Sequence, residues 1–159
     1  MKKLLFLVPL LFLWANAFTQ CKKSVSYAIS YVSTQYDLFH SLGLGITMNK
    51  TSFNQEVGLS HKYLVANEYN WRIQEQFYYT LPVNKRISFD AGLAFGFISR
   101  WRNSTFFQLE ENIIFSLHVK TIVSYFWRNS IGVMHQMKGN AQLYYEPNFV
   151  SQIGISYVF

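Results

Sequence analysis

The sequence predicts an all-β fold, an eight-stranded antiparallel transmembrane β-barrel. Three observations predict it. The last eleven residues alternate, with Phe149, Ser151, Ile153, Ile155, Tyr157 and Phe159 on one side and Val150, Gln152, Gly154, Ser156 and Val158 on the other. A strand with an apolar, aromatic-ended face and a small or polar face fits a wall between lipid and a narrow polar interior. The N-terminus reads as an export signal. Half of the residues are hydrophobic and 19% are aromatic, yet mean hydropathy is only +0.06. A lipid face and a polar interior average out in this way.

Lys2 and Lys3 make a short positive region, Leu4 to Trp14 an apolar stretch, and Ala15-Asn16-Ala17 an A-x-A cleavage site. Residues 1–17 therefore read as a secretory signal peptide, too short to span a membrane as a helix. Residues 18–159 read as one barrel domain. Beyond the signal no apolar run approaches the ~20 residues of a spanning helix. A soluble periplasmic sandwich would need fewer aromatics and more outward charge. Losing Lys2 and Lys3 lowers the formal charge of +6 by two. The remaining basic residues are scattered, which gives no argument for nucleic acid. Cys21 is the only cysteine, so no internal disulfide forms. A lipoprotein peptidase could use it, but Phe18-Thr19-Gln20 lacks the Leu-x-small pattern of such signals.

Eight period-two segments follow. The first, Ser24 to Ser33, sets Val25, Tyr27, Ile29 and Tyr31 against Ser24, Ser26, Ala28 and Ser30. The second, Leu38 to Asn49, sets Leu42, Leu44, Ile46 and Met48 against Ser41, Gly43, Gly45 and Thr47. The third spans Phe53 to Val65, the fourth Tyr69 to Leu81 and the fifth Arg86 to Ser99. The sixth, Thr105 to Leu117, is less clean, because Glu111 shares a face with Phe107, Leu109, Ile113 and Phe115. The seventh spans Thr121 to His135, and the eighth ends at Phe159. Asn49-Lys50-Thr51 and Pro82-Val83-Asn84-Lys85 are short turns, which belong at the periplasmic side. Ala66 to Glu68, Arg100 to Ser104 and the longest connection, Gln136 to Asn148, then face outward.

Projection of the strands puts Glu56, Lys62, Arg72, Asp90, Glu110 and Arg128 on the inner face among Ser, Gly, Asn and Gln. An eight-stranded barrel has room inside only for side chains, so these charges are expected to pair across the lumen as a structural plug. A proton or ion path is the less favoured alternative. Glu75 and Glu111 fall on the lipid-facing register. A carboxylate there calls for a β-bulge, a position near a strand end or an oligomer contact, and a bulge is the favoured expectation.

No cofactor is expected. Gly43-x-Gly45 and Gly92-x-x-x-Gly96 are inner-face glycines without the following helix of a dinucleotide site. His40, His61 and His118 lie on separate strands without metal-ligand spacing.

Taken together, the signal peptide, the alternating strands, the short turns and the terminal aromatic make the whole mature chain resemble small outer-membrane β-barrel proteins of Gram-negative bacteria. That resemblance implies location in the outer membrane, contact with its lipid and lipopolysaccharide, and Tyr157 and Phe159 as a signal for the barrel-assembly machinery. A second resemblance rests on His135-Gln136-Met137-Lys138-Gly139-Asn140-Ala141, followed by Pro147-Asn148 and the final strand. This segment is similar to the C-terminus of the lipid A 3-O-deacylases, eight-stranded barrels with a His-x-Ser-Asn-Ala run. In that family a Ser is the nucleophile, a His the base, and a Glu orients the His. Here the nucleophile position holds Met137, whose thioether has no proton to lose. Ser151 on the adjacent strand is a geometric substitute, and Glu146 lies in the preceding loop. The reading is therefore a barrel with a structural or interaction role, favoured over an enzyme. The alternative is a deacylase-like esterase centred on His135 at the outer leaflet.

Overall fold

The computed structural model describes residues 21–61, 70–102, 104–138 and 142–159. The expected signal peptide and Lys62 lie outside these residues. Eight strands run β1 Lys22–Val32, β2 Asp37–Met48, β3 Thr51–Ser60, β4 Asn70–Pro82, β5 Ile87–Arg102, β6 Ser104–Lys120, β7 Ser124–Lys138 and β8 Gln142–Val158. Each pairs antiparallel with the next, and β8 returns to β1 to close the barrel. Closure removes the edges that so apolar a sheet would otherwise expose. Tracing paired residues once around leads from Lys22 through Thr47, Ser52, Tyr78, Gly92, Ile114, Ser130 and Val150 to Val32. The path returns to β1 ten residues further on. A stagger of that size tilts the strands by about 35–45° and leaves an interior just wide enough for side chains.

The turns follow from local chemistry. Asn49 takes φ 56°, a left-handed conformation that Asn tolerates, and reverses the chain between β2 and β3. In the β4–β5 turn the Asn84 carboxamide oxygen accepts the N–H groups of Arg86 and Ile87, both at 2.8 Å. A 3-10 turn, Ser33–Gln35, joins β1 to β2, with Tyr36 at φ 49°. The open end of the sheet is tied by Phe159 N–H to Lys23 O at 2.9 Å and Lys23 N–H to Phe159 O at 3.2 Å. Both ends of the described barrel thus meet at the short-turn side.

Two expected connections are strand instead. Arg100 to Ser104 belongs largely to β5 and β6, which pair as far as Arg102 with Ser104. Most of Gln136 to Asn148 is the β7–β8 ladder, which continues to Lys138 with Gln142. The side-chain pattern marks only the stretch that meets lipid, whereas backbone pairing continues above it. Likewise β6 runs past Leu117 to Lys120.

No bulge interrupts β3–β4, β4–β5 or β5–β6, whose registers are continuous. Glu75 and Glu111 therefore do face outward, and the expected bulge is absent.

The outer surface is an apolar belt. Leu42, Val57, Phe77, Leu93, Phe115, Ile131 and Ile153 are all exposed, with Tyr79, Tyr125, Tyr157 and Phe159 toward the short-turn end. A water-soluble protein rarely exposes apolar patches of more than a few hundred Å². Hydrocarbon is the solvent this belt fits.

Candidate functional site

The interior carries the chain's buried polar groups. Arg72 on β4 and Glu110 on β6 form a two-pronged ion pair, with Nε to Oε1 at 2.6 Å and Nη2 to Oε2 at 2.8 Å. Asn112 and Asn148 donate to the same carboxylate at 3.1 and 3.3 Å. Directly opposite in the ladders, Arg72 faces Ile98 and Glu110 faces Met134. Ile98 and Met134 belong to an apolar cluster with Val32, Phe39 and Val150, all buried. The sequence reading set Val150 on the inner face and otherwise expected mainly small and polar residues inside. These five share the inner parity, but each lies at a strand end or among polar neighbours, so alternation alone did not single them out.

A second pair crosses the barrel from β3 to β7. Arg128 Nη1 donates to Glu56 Oε1 at 2.8 Å and to Gln152 Oε1 at 2.9 Å, while Gln152 Nε2 donates to Glu56 Oε2 at 2.7 Å. Asn54 adds a donor to Glu56 at 2.9 Å. The Arg128 guanidinium lies 4.8 Å from the Phe126 ring centroid and 5.8 Å from that of Tyr78, within cation–π range. Inner-face glycines make room for these groups. A Cβ on Gly43 would come within 3.0 Å of Glu56 Cγ, and one on Gly96 within 2.8 Å of Glu110 Oε1.

Asp90 behaves differently. Its Oδ2 lies 2.6 Å from His118 Nε2, while its Oδ1 is buried without a partner among the described residues. The His118 ring stacks on Phe126 at 5.5 Å. His118 escaped the inner-face assignment because β6 was ended at Leu117, one residue short of it. The two residues line a cavity of about 670 Å³ at the short-turn end, with Lys22 and Lys120 at its wall. At the opposite end, Asp37 accepts a bond from the Ser60 hydroxyl, and Gln35 donates to Gln108.

The residues of the hydrolase reading are placed as follows. His135 faces outward on β7, its Nε2 3.5 Å from Glu111 Oε2 and its ring edge-on to Tyr145 at 5.0 Å. The acid beside the imidazole thus comes from β6, a strand the sequence reading had not considered for that role. Glu146, the expected orienting acid, pairs with Met134 and has the inner parity, away from His135. Ser151 pairs with Asn129 and takes the Trp127 indole N–H at 3.4 Å. His135 pairs with Tyr145, six residues up the same strand from Ser151. Six residues of strand are about 20 Å, beyond any hydrogen bond. The expected nearness of His135 and Ser151 assumed a loop from Gln136 to Asn148, and the continued ladder removes it.

One constellation was not read from the sequence. Tyr27 Oη lies 2.7 Å from His40 Nδ1, and His40 Nε2 lies 3.3 Å from His61 Nδ1. His61 meets His40 diagonally across β2–β3, where Leu59 is its direct partner. Among the described residues no group of three or more His, Cys, Asp or Glu is arranged to hold a metal.

Tyr157 and Phe159 are exposed on the outer face of β8, their rings stacked with centroids 6.4 Å apart.

No protein-family model matches the chain. No curated protein matches it in sequence. Solved structures do match in shape. The N-terminal β-barrel domain of Pseudomonas aeruginosa OprF aligns with a TM-score of 0.58 at 13% identity, over 88% of this chain and all of that one. A de novo designed transmembrane β-barrel aligns with a TM-score of 0.55 at 9% identity, over 87% of this chain and 95% of that one. At such identities the likeness concerns the fold alone, and the fold is that of a closed eight-stranded transmembrane β-barrel.

Proposed function

We propose that the protein is a structural or interaction barrel of the outer membrane, with a closed lumen and its contacts made by its outer rim and belt. The observation that carries this reading is the filling of the interior. Arg72–Glu110 and Arg128–Glu56 reach across the barrel, and the cluster of Val32, Phe39, Ile98, Met134 and Val150 occupies the half in which Arg72 and Glu110 lie. Buried ion pairs satisfied by amide donors hold their places, and an apolar constriction disfavours water. The belt meets lipid, and the outer rim meets lipopolysaccharide. Tyr157 and Phe159 are the segment offered to the barrel-assembly machinery.

The test is electrical. Purified protein in planar bilayers gives no steady conductance under this reading. Stable single-channel steps from the wild-type protein would refute the closed lumen.

The hydrolase alternative draws on His135 and Glu111, an imidazole with a carboxylate at 3.5 Å on the outward face. Its candidate nucleophile, Ser151, lies about 20 Å away along β8. Lipid A mass spectra from cells with and without the gene decide it. A 3-hydroxy fatty acid released only when the gene is present, and lost in His135→Ala, would replace the structural reading.

A further inference from the structure

Glu75 is a carboxylate on the hydrocarbon side of the barrel, and three explanations for such a residue were open. Continuous β3–β4 and β4–β5 ladders exclude a bulge. Position near an end does not apply either. On the same face of β4, Trp71 and Ile73 lie toward one end, and Phe77, Tyr79 and Leu81 toward the other. Glu111 is a different case, since His135 from β7 stands beside it. Among the described residues Glu75 has only Gln55, directly opposite on β3, whose Nε2 donates to it at 3.3 Å.

The geometry points to a second copy of this chain docked against the β3–β4 face, with Gln55 and Glu75 at the centre of the contact. The pair is self-complementary. Its internal bond uses one N–H of Gln55 and one oxygen of Glu75, which leaves a second N–H, the Gln55 carbonyl oxygen and the other Glu75 oxygen to bond outward. A two-fold axis along the membrane normal keeps every residue at its own depth. Gln55 and Glu75 are register partners on strands tilted by about 35–45°, so their depths differ by about 3 Å, within reach of two flexible side chains. The axis therefore brings Gln55 of each copy against Glu75 of the other, so that the spare N–H of each Gln55 donates to the free Glu75 oxygen across an isologous contact.

The surroundings suit such an interface. The rings of Phe53 and Phe77 meet at a tilt with centroids 4.5 Å apart on one side of the pair, and those of Trp71 and Phe97 at 5.4 Å on the other. Large apolar anchors around a central polar pair are the anatomy of a protein contact. A foreign partner would need its own desolvated donor at that depth, whereas a second copy already has one. In lipid, where no water competes, polar side chains hold spans together.

Cysteine cross-linking in lipid vesicles tests this, in a Cys21→Ser background with one new cysteine per variant. Ile73→Cys lies beside Glu75 on the proposed contact. Ile153→Cys lies on β8, across the barrel. Oxidation is expected to link Ile73→Cys into dimers and to leave Ile153→Cys monomeric. Adding Glu75→Leu should weaken the Ile73→Cys dimer about tenfold, while Glu75→Gln, which still accepts and donates, should keep it. Because leucine suits lipid better than a carboxylate, Glu75→Leu should fold at least as well as wild type by heat-resistant gel mobility, so loss of the dimer is not loss of the barrel. Equal cross-linking at both positions, no dimer at Ile73→Cys, or a dimer indifferent to Glu75→Leu would each overturn the proposal.

Discussion

Replacing Arg72 by methionine keeps most of the side-chain volume and removes the charge. What it leaves behind can be followed atom by atom. Glu110 loses two charge-assisted bonds, at 2.6 and 2.8 Å, and keeps the amides of Asn112 and Asn148 at 3.1 and 3.3 Å. Its side chain is fully buried, and its ladder partner Met134 offers no donor. Stranding one member of a buried pair costs about 3–5 kcal/mol. The two surviving amide donors place Arg72→Met near the lower end, about 3 kcal/mol. That lowers the folded-to-unfolded ratio by roughly two orders of magnitude. The double variant Arg72→Met/Glu110→Leu removes the stranded charge as well. Asn112 and Asn148 still bond each other at 3.3 Å, so few polar groups are left unmet. Buried pairs replaced by apolar residues are often neutral or better, so the double variant is expected within about 1 kcal/mol of wild type. The two effects are strongly non-additive, which is the signature of a direct pair. Guanidinium titration in lipid vesicles, followed by tryptophan fluorescence, measures all four corners of the cycle. A single variant within about 1 kcal/mol of wild type, or a double variant as damaged as the single, would refute the assignment of this pair as the buried brace.

Three further outcomes follow from named contacts. Phe159→Ser, or deletion of Phe159, removes the exposed ring that stacks on Tyr157, and slower insertion with periplasmic degradation is expected; unchanged levels of folded protein in outer-membrane fractions would remove the assembly role of this end. Gly92→Ala should cost about 1–3 kcal/mol in the same unfolding assay, because its Cβ would lie 2.0 Å from the backbone oxygen of Phe77, whereas Gly45→Ala meets a rotatable Ser24 hydroxyl and should be milder; the reverse order would contradict the tight β4–β5 approach. Asn84→Ala takes the acceptor from two backbone N–H groups of the β4–β5 turn and should cost about 1 kcal/mol; no change in stability would show that water replaces it fully.

The direction each side chain faces was legible because the strand period is two and the solvents on either side differ. Leu42, Phe77 and Ile153 are apolar where Ser41, Gln76 and Gln152 are polar, and the structure places them outside and inside accordingly. The inner charges Glu56, Arg72, Asp90, Glu110 and Arg128 came from the same parity. Their partners did not. Arg72 finds Glu110 two strands away and Arg128 finds Glu56 four strands away, and those choices depend on the stagger of the whole barrel. Stagger is a property of how β8 meets β1, and no single segment carries it.

Depth was the other illegible quantity, and it decided the candidate chemistry. A side-chain pattern reports where lipid begins and ends, not where pairing does. Ending β7 at His135 and opening β8 at Phe149 brought His135 and Ser151 together at a rim. The ladder in fact continues through Lys138 and Gln142, and each added pair moves Ser151 one step further from the turn. The same error at the other end hid His118 from the lumen, since β6 was stopped at Leu117 although inner parity continues through His118 to the strand's end at Lys120. Asp90 then looked like one more member of a charge network. Its actual partner is an imidazole at the mouth of a cavity, apart from the two Arg–Glu pairs. Parity assigns a residue to a solvent, but only register assigns it a neighbour, and a reaction or a brace is a statement about neighbours.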